Sequence, residues 1–177
     1  MTADRVDSSS DERLALTFSQ HVVRLQTAFE QAIAPALAAQ GLTPAELDVL
    51  AALRSAGTPY QRRPKELAAH LLLTTGGLSN VLRRLDTRGL VSRVPDPSDG
   101  RSHNVQLTPA GVTTAEAATT AATTALQRTL TAVPAATLEH TLHQLRSILG
   151  AVDGTRTALP AVRYLPDDPG PGVPTAG

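Results

Sequence analysis

Residues 64–109 read PKELAAHLLLTTGGLSNVLRRLDTRGLVSRVPDPSDGRSHNVQLTP, two short apolar-periodic segments around a tight turn followed by two alternating segments around a Pro/Asp/Gly loop. The first segment, PKELAAHLL, opens with Pro64, whose missing N–H costs nothing at a first helical position, and it gathers Leu67, Ala68, Leu71 and Leu72 on one side. The second, TGGLSNVLRRLDTRG, repeats Leu78, Leu82 and Leu85 at helical spacing and stops at Gly89. LVSRV then predicts a strand, PDPSDGR its tip, and SHNVQLT a return strand with Val105 and Leu107 turned inward. Helix, turn, helix and β-hairpin in that order predict a winged helix-turn-helix.

The second helix carries the chemistry. At 100° per residue, Gly76, Asn80, Arg83 and Thr87 fall opposite the leucine stripe, with Ser79 and Arg84 on its flanks. Asn and Arg pair bidentately with adenine and guanine edges in the major groove, and Ser and Thr reach bases or phosphates. The expected DNA-contacting set is Thr74, Thr75, Gly76, Ser79, Asn80, Arg83 and Arg84 in this helix. Gly76 and Gly77 each cost roughly 1 kcal/mol inside a helix, which makes sense if the first turn must approach a DNA backbone closely. At the hairpin tip, Asp99 and Arg101 stand two apart, so the carboxylate can hold the guanidinium extended for entry into a narrow minor groove. The competing readings are a solvated helix face and a surface ion pair worth little.

Charge is distributed accordingly. The chain of 177 residues is neutral overall, with 16 basic and 16 acidic residues, yet residues 62–101 hold eight Lys/Arg against four Asp/Glu. That segment is +4 and the remainder −4, the separation expected of one DNA-facing edge on an unrelated body. The length suits one domain with a substantial core.

Outside residues 42–108 the pattern is helical. Ser9 with Glu12 reads as a capping box ahead of Leu14, Phe18, Val22, Leu25, Phe29 and Ile33, and Pro35 should kink or end that helix. Thr43 with Glu46 opens the next helix, whose Leu47, Leu50 and Leu53 face inward before Gly57. Thr108-Pro109 begins an Ala/Thr-rich helix, and Pro134 begins a last one bearing Leu138, Leu142, Leu145 and Leu149. Thr is a mediocre helix former, so the Ala/Thr segment must draw its stability from close packing. These terminal helices cannot bury their apolar stripes on a small winged helix alone, which predicts a second copy as partner, a monomeric helical cap being the alternative. The expected division is a flexible lead-in at 1–10, a helical dimerisation region at 11–41 and 109–150, a DNA-binding core at 42–108, and a Pro/Gly-rich disordered tail at 153–177. The fold class is mainly α, with a small β component in the wing.

The stretch Leu42–Ala110, with TPAELDVLAAL, GLVSR, DPSDGR and VQLTPAG, resembles the winged-helix core of the multiple-antibiotic-resistance regulator (MarR) family, and the flanking helices extend the likeness over about residues 11–150. The resemblance implies a homodimeric, ligand-responsive transcription factor, a repressor released by a small molecule. It implies terminal helices that interleave to set two recognition helices one DNA turn apart, on a pseudo-palindromic double-stranded operator. It also implies an Asp99–Arg101 pair at the wing tip. Many relatives carry a second basic residue near the wing arginine, where this chain has Ser102, His103 and Asn104. A small aromatic effector between the dimer helices and the winged helix would be lined by Phe18, His21, Arg24 and Tyr60.

Other classes find little support. No cysteine is present, which excludes disulfides, thiolate metal sites and thiol redox sensing. No nucleotide-binding, nucleophile-elbow or zinc-protease motif occurs, so no enzyme and no cofactor is expected. His140 and His143, three apart beside Glu139, could in principle share a metal but read as a polar helix face, and no metal site is expected. No apolar run is long enough to span a membrane and the N-terminus is acidic, predicting a cytoplasmic protein without membrane association. The alternative function is a winged helix used for protein–protein assembly, whose outward face would bear apolar anchors in place of Asn80, Arg83 and Arg84.

Overall fold

The computed structural model describes residues 3–71, 73–96 and 99–153, and for residues 3–9, 99–101 and 153 the backbone alone. Along the chain run α1 (Ala3–Ala38), α2 (Pro44–Ser55), β1 (Gln61–Arg62), α3 (Pro64–His70), α4 (Thr75–Thr87), β2 (Val91–Asp96), β3 (Asp99–Leu107), α5 (Pro109–Leu130) and α6 (Ala135–Asp153). The three strands form one antiparallel sheet in the order β1, β3, β2. Helices α2, α3 and α4 with this sheet are the winged helix-turn-helix, and α1 packs along α5.

Capping chemistry places the helices. The Thr43 amide donates to Glu46 Oε2 at 2.7 Å and the Glu46 amide to Thr43 Oγ1 at 3.3 Å, the reciprocal box that starts α2. Thr74 Oγ1 accepts from the Gly77 amide at 3.1 Å to start α4. That helix ends as the sequence predicts. Gly89, at φ +67, lets the Leu90 amide reach back to the Leu85 carbonyl at 2.9 Å and the Gly89 amide to the Asp86 carbonyl at 2.8 Å.

The core joins these elements. Leu37, Leu47, Leu50, Leu53, Leu67 and Leu85 are fully buried, with Leu78, Leu82, Leu90, Val105 and Leu107 around them. In α5 the buried residues Ala115, Ala118 and Ala122 allow the backbone to lie close to α1. The Ala/Thr segment thus gains its stability from close packing, as expected, while Thr120, Thr124 and Thr129 bond back to the carbonyls four residues earlier.

Several expectations are corrected. α1 does not start from a Ser9 cap: it begins at Ala3, so most of the segment 1–10 belongs to this helix. Nor does α1 end at Pro35. It continues to Ala38, because Ile33 and Leu37 on either side are buried and outweigh the one backbone bond that proline forgoes. The short strand β1, pairing Gln61 with Gln106 and Arg62 with Val105, has no periodicity two residues long to announce it. The hairpin strands reach further into the predicted tip, with Asp96 opposite Asp99 across an irregularity at Pro95. Asn104 is buried although it alternates with the inward Val105. Leu72 and the tail read as disordered beyond Asp153 lie outside the described residues. Among the described residues, no helix is long and apolar enough to cross a membrane.

The start of α5 is held most tightly. The Thr108 hydroxyl donates to the Gly89 carbonyl at 2.7 Å, the Thr108 amide to the Leu90 carbonyl at 3.1 Å, and Thr108 Oγ1 accepts from the Gly111 amide at 3.0 Å. A Cβ on Gly111 would lie 1.9 Å from the Leu90 carbonyl oxygen, a clash with backbone that no rotamer relieves. Gly111→Ala should therefore cost about 2 kcal/mol or more, seen by calorimetry as a fall in Tm of roughly 5 °C or more. An unchanged Tm would mean that the start of α5 does not lie against the Leu90 carbonyl.

Candidate nucleic-acid interface

Helix α4 is amphipathic in the sense that the recognition role requires. Leu78, Leu82 and Leu85 point into the core, while Thr74, Thr75, Gly76, Ser79, Asn80, Arg83, Arg84 and Thr87 are exposed. Six of the seven residues expected to contact DNA from this segment thus share one solvent face or its N-terminal edge. Among the described residues a Cβ at Gly76 would meet nothing within 4 Å, whereas at Gly77 it would sit 3.1 Å from the capping Thr74 hydroxyl. The two glycines stand in different surroundings.

Arg84 is the exception. Its Nε lies 3.2 Å from Glu46 Oε1 and its Nη2 donates to Oε2 at 3.5 Å, although the guanidinium is still 58% exposed. Glu46 is 1% exposed, so Arg84 neutralises a buried carboxylate that also accepts from the Thr43 amide and hydroxyl. The side chain ties α4 to the first turn of α2. Arg83 instead stays on its own helix, donating from Nη2 to Asn80 Oδ1 at 2.9 Å. A cleft of about 320 Å³ lies beside this part of α4, lined by Gly41, Glu46, Arg83, Arg84, Thr87 and Arg88.

The basic residues of the segment divide into two kinds. Arg62 Nε donates to the Ala52 carbonyl at 3.1 Å, Arg63 Nε to Asp96 Oδ2 at 2.6 Å, and Arg88 to the Gly41 and Gln40 carbonyls at 2.8 and 3.2 Å. With Arg84, these four cations are struts between elements. Lys65, Arg83 and Arg93 are exposed on α3, α4 and β2. The Arg63–Asp96 bridge joins the start of α3 to the wing at a buried carboxylate. Sequence reasoning missed both this bridge and the Arg84–Glu46 pair: the partners stand 33 and 38 residues apart, and only the Thr43–Glu46 spacing hinted that Glu46 had a structural task. The expected Asp99–Arg101 wing-tip pair concerns side chains outside the described ones.

The residues expected around an effector occupy two environments. Phe18, His21 and Arg24 lie on the exposed part of α1, where His21 Nδ1 is 2.7 Å from the Thr17 carbonyl. Tyr60 is half-buried against the core, with the Arg54 guanidinium 4.6 Å above its ring. Arg54 donates to Glu116 Oε1 from Nε and Nη2 at 3.1 and 2.8 Å, and that hydrogen-bonded carboxylate raises the guanidinium above its ordinary pKa. His140 and His143 are exposed on α6, and among the described residues no group of three His, Cys, Asp or Glu could hold a metal ion.

Comparison with known proteins places this geometry. A model of the MarR family matches residues 40–102, from just after α1 into the hairpin. The HTH-type transcriptional regulator PecS of Dickeya dadantii is 33% identical over 88 residues, 50% of this chain and 53% of PecS, so the match spans about half the length of that relative. The crystal structure of a mutant MarR from E. coli complexed with operator DNA is similar at a TM-score of 0.65 and 26% identity, covering 78% of this chain and 96% of that one. A probable transcriptional regulator from Pseudomonas aeruginosa is similar at a TM-score of 0.57 and 27% identity, covering 80% of this chain and 98% of that one. The family model falls on the helix-turn-helix and its wing, and the solved structures carry the likeness over the flanking helices, so residues 40–102 form a winged helix-turn-helix of the MarR family type.

Proposed function

We propose that this chain is a homodimeric, sequence-specific DNA-binding transcriptional regulator, a repressor released by a small ligand. One observation carries the reading: α4 buries its leucines and turns Ser79, Asn80, Arg83 and Thr87 to solvent beside the β-hairpin. Those side chains are hydrogen-bonding groups suited to base edges and phosphates. The open space at Gly76 suits a backbone approaching the first turn. The wing, with Arg101 at its tip, would reach the adjacent minor groove. The mutant E. coli MarR was solved with operator DNA, which supports the same use of the same fold. Protein docking through this face is less well supported, because the exposed large apolar side chains among the described residues lie on α1 and α6.

Those apolar side chains support the dimer. Leu14, Phe18, Val22 and Leu25 line one side of α1, Leu16 and Val23 the opposite side, and Leu138, Leu142, Ile148, Leu149 and Val152 are exposed on α6. Exposure on this scale would be unfavourable for an isolated chain and is relieved if a second copy covers it. In this reading residues 11–41 and 109–150 form the dimerisation region and 42–108 the DNA-binding core. The second copy sets the paired α4 helices about 34 to 36 Å apart, matching half-sites of a pseudo-palindrome. The ligand is a small aromatic molecule lodged between the dimer helices and the winged helix, against Phe18, His21, Arg24 and Tyr60.

Two experiments check this reading. Replacing Leu142 and Leu145 together by Asp places charges in the proposed seam, and sedimentation equilibrium should find monomer or unfolded chain. A stable dimer would remove α6 from the interface. On DNA, the two neighbouring arginines should separate. Arg83→Ala should cost about 1 to 3 kcal/mol on the preferred operator and little on random DNA, at unchanged Tm. Arg84→Ala should lower Tm by roughly 2 to 4 °C, equivalent to about 1 kcal/mol after screening of an exposed guanidinium. Binding of the parent should weaken steeply with salt. A flat salt response, or Arg83→Ala binding all DNA like the parent, would sink the proposal.

A further inference from the structure

We infer that Asn80 positions Arg83 to read a guanine and does not itself read adenine, as its side-chain type alone suggests. The inference rests on the reading of α4 as a DNA-reading helix. Both residues are exposed and one turn apart, and Arg83 Nη2 donates to Asn80 Oδ1 at 2.9 Å. A guanidinium has only donors, so the amide must present its oxygen to it. Bidentate recognition of adenine needs the amide oxygen and nitrogen together, on N6 and N7. With one lone pair of the oxygen engaged and the amide plane oriented by Arg83, Asn80 offers a base chiefly its two Nδ2 hydrogens. Arg83 commits one of five N–H groups and keeps a parallel pair of donors, which fits O6 and N7 of guanine. The two residues together therefore present donors and seek an acceptor-rich edge.

Direction supports this assignment. Asn80 lies N-terminal to Arg83, and the N-terminal part of a recognition helix contacts the base edges. The bond draws the guanidinium toward that end, away from Arg84 and Arg88, whose own groups are anchored on Glu46 and on the Gln40–Gly41 carbonyls. A flexible arginine loses rotamer freedom when it binds a base, and a bond already made in the unbound protein lowers that loss. Nothing in the fold core depends on the pair: both side chains face solvent, and their bond lies within one helix.

The test is selection of double-stranded sites from a random pool by the full chain and by Asn80→Ala, Arg83→Ala and the double variant. Affinities are then measured on the best site and on copies in which single guanines are replaced by 7-deazaguanine, which lacks the N7 acceptor. Arg83→Ala should erase a preference at one G·C pair, a loss of roughly 5- to 150-fold there. Asn80→Ala should weaken the same pair by less, leave every A·T pair as it was, and add nothing to Arg83→Ala in the double variant. Tm should be equal in all four proteins, which separates positioning from a structural role. An A·T preference lost in Asn80→Ala with the G·C pair intact, or losses that multiply independently, would overturn the inference. A parent that enriches no sequence at all overturns the DNA reading, and this inference with it.

Discussion

The contact of Gly111 with the Leu90 carbonyl is the constraint on which the arrangement turns. Four elements meet there: α4 has just ended at Gly89, β2 is beginning, β3 is finishing at Leu107, and α5 is leaving. Thr108 bonds to the carbonyls of both Gly89 and Leu90, so the end of α4 and the start of α5 share one small residue. Glycine at 111 is required by the close approach, and glycine at 89 by the left-handed turn that stops α4. Because α5 also packs on α1, the orientation of α4 is transmitted to the long helices without a flexible linker between them. In the proposed dimer, a movement of α1 and α5 relative to the second copy would carry α4 with it, a mechanical basis for the proposed ligand release.

Electrostatics acts in two ways on the same segment. The net positive charge of residues 62–101 suggests a DNA-facing patch, yet Arg62, Arg63, Arg84 and Arg88 donate to acceptors on other elements. These cations position α4, α3 and the wing. The buried carboxylates Glu46 and Asp96 make the need clear, since burial of a charge is costly unless it is paired and hydrogen-bonded. Charge counting along a sequence cannot separate struts from ligand-facing groups. Distances can, and Arg83 is distinguished from Arg84 by them.

The long helices show a different balance. Between residues 10 and 28, α1 carries apolar residues on two opposite sides and is exposed throughout, while Ile33 and Leu37 further along the same helix are buried. One half of the helix is thus anchored in the chain's own core and the other offers its surface outward. A helix with apolar residues on two sides needs neighbours on both, and a single chain supplies them only at the C-terminal half. The proposed second copy would supply the rest.

Local rules made much of this legible in the sequence. Thr43 with Glu46, Thr74, Pro64, Gly89 and Thr108-Pro109 marked helix ends by capping chemistry that acts within a few residues. The spacing of Leu78, Leu82 and Leu85 determined which face of α4 is buried and therefore left Asn80 and Arg83 outside. Where the sequence misled, the deciding force was nonlocal. Burial of Ile33 and Leu37 carried α1 past Pro35, and pairing with β3 made a strand of Gln61–Arg62. The sequence by itself determined the order of the helices and of the two hairpin strands and the polar face of α4, because periodicity and capping depend on neighbours along the chain. Tertiary structure alone decided that Arg84 serves Glu46, that Arg63 holds Asp96 and that Gly111 must lack a side chain, because each follows from atoms brought together across 20 to 40 residues by the packing of the core.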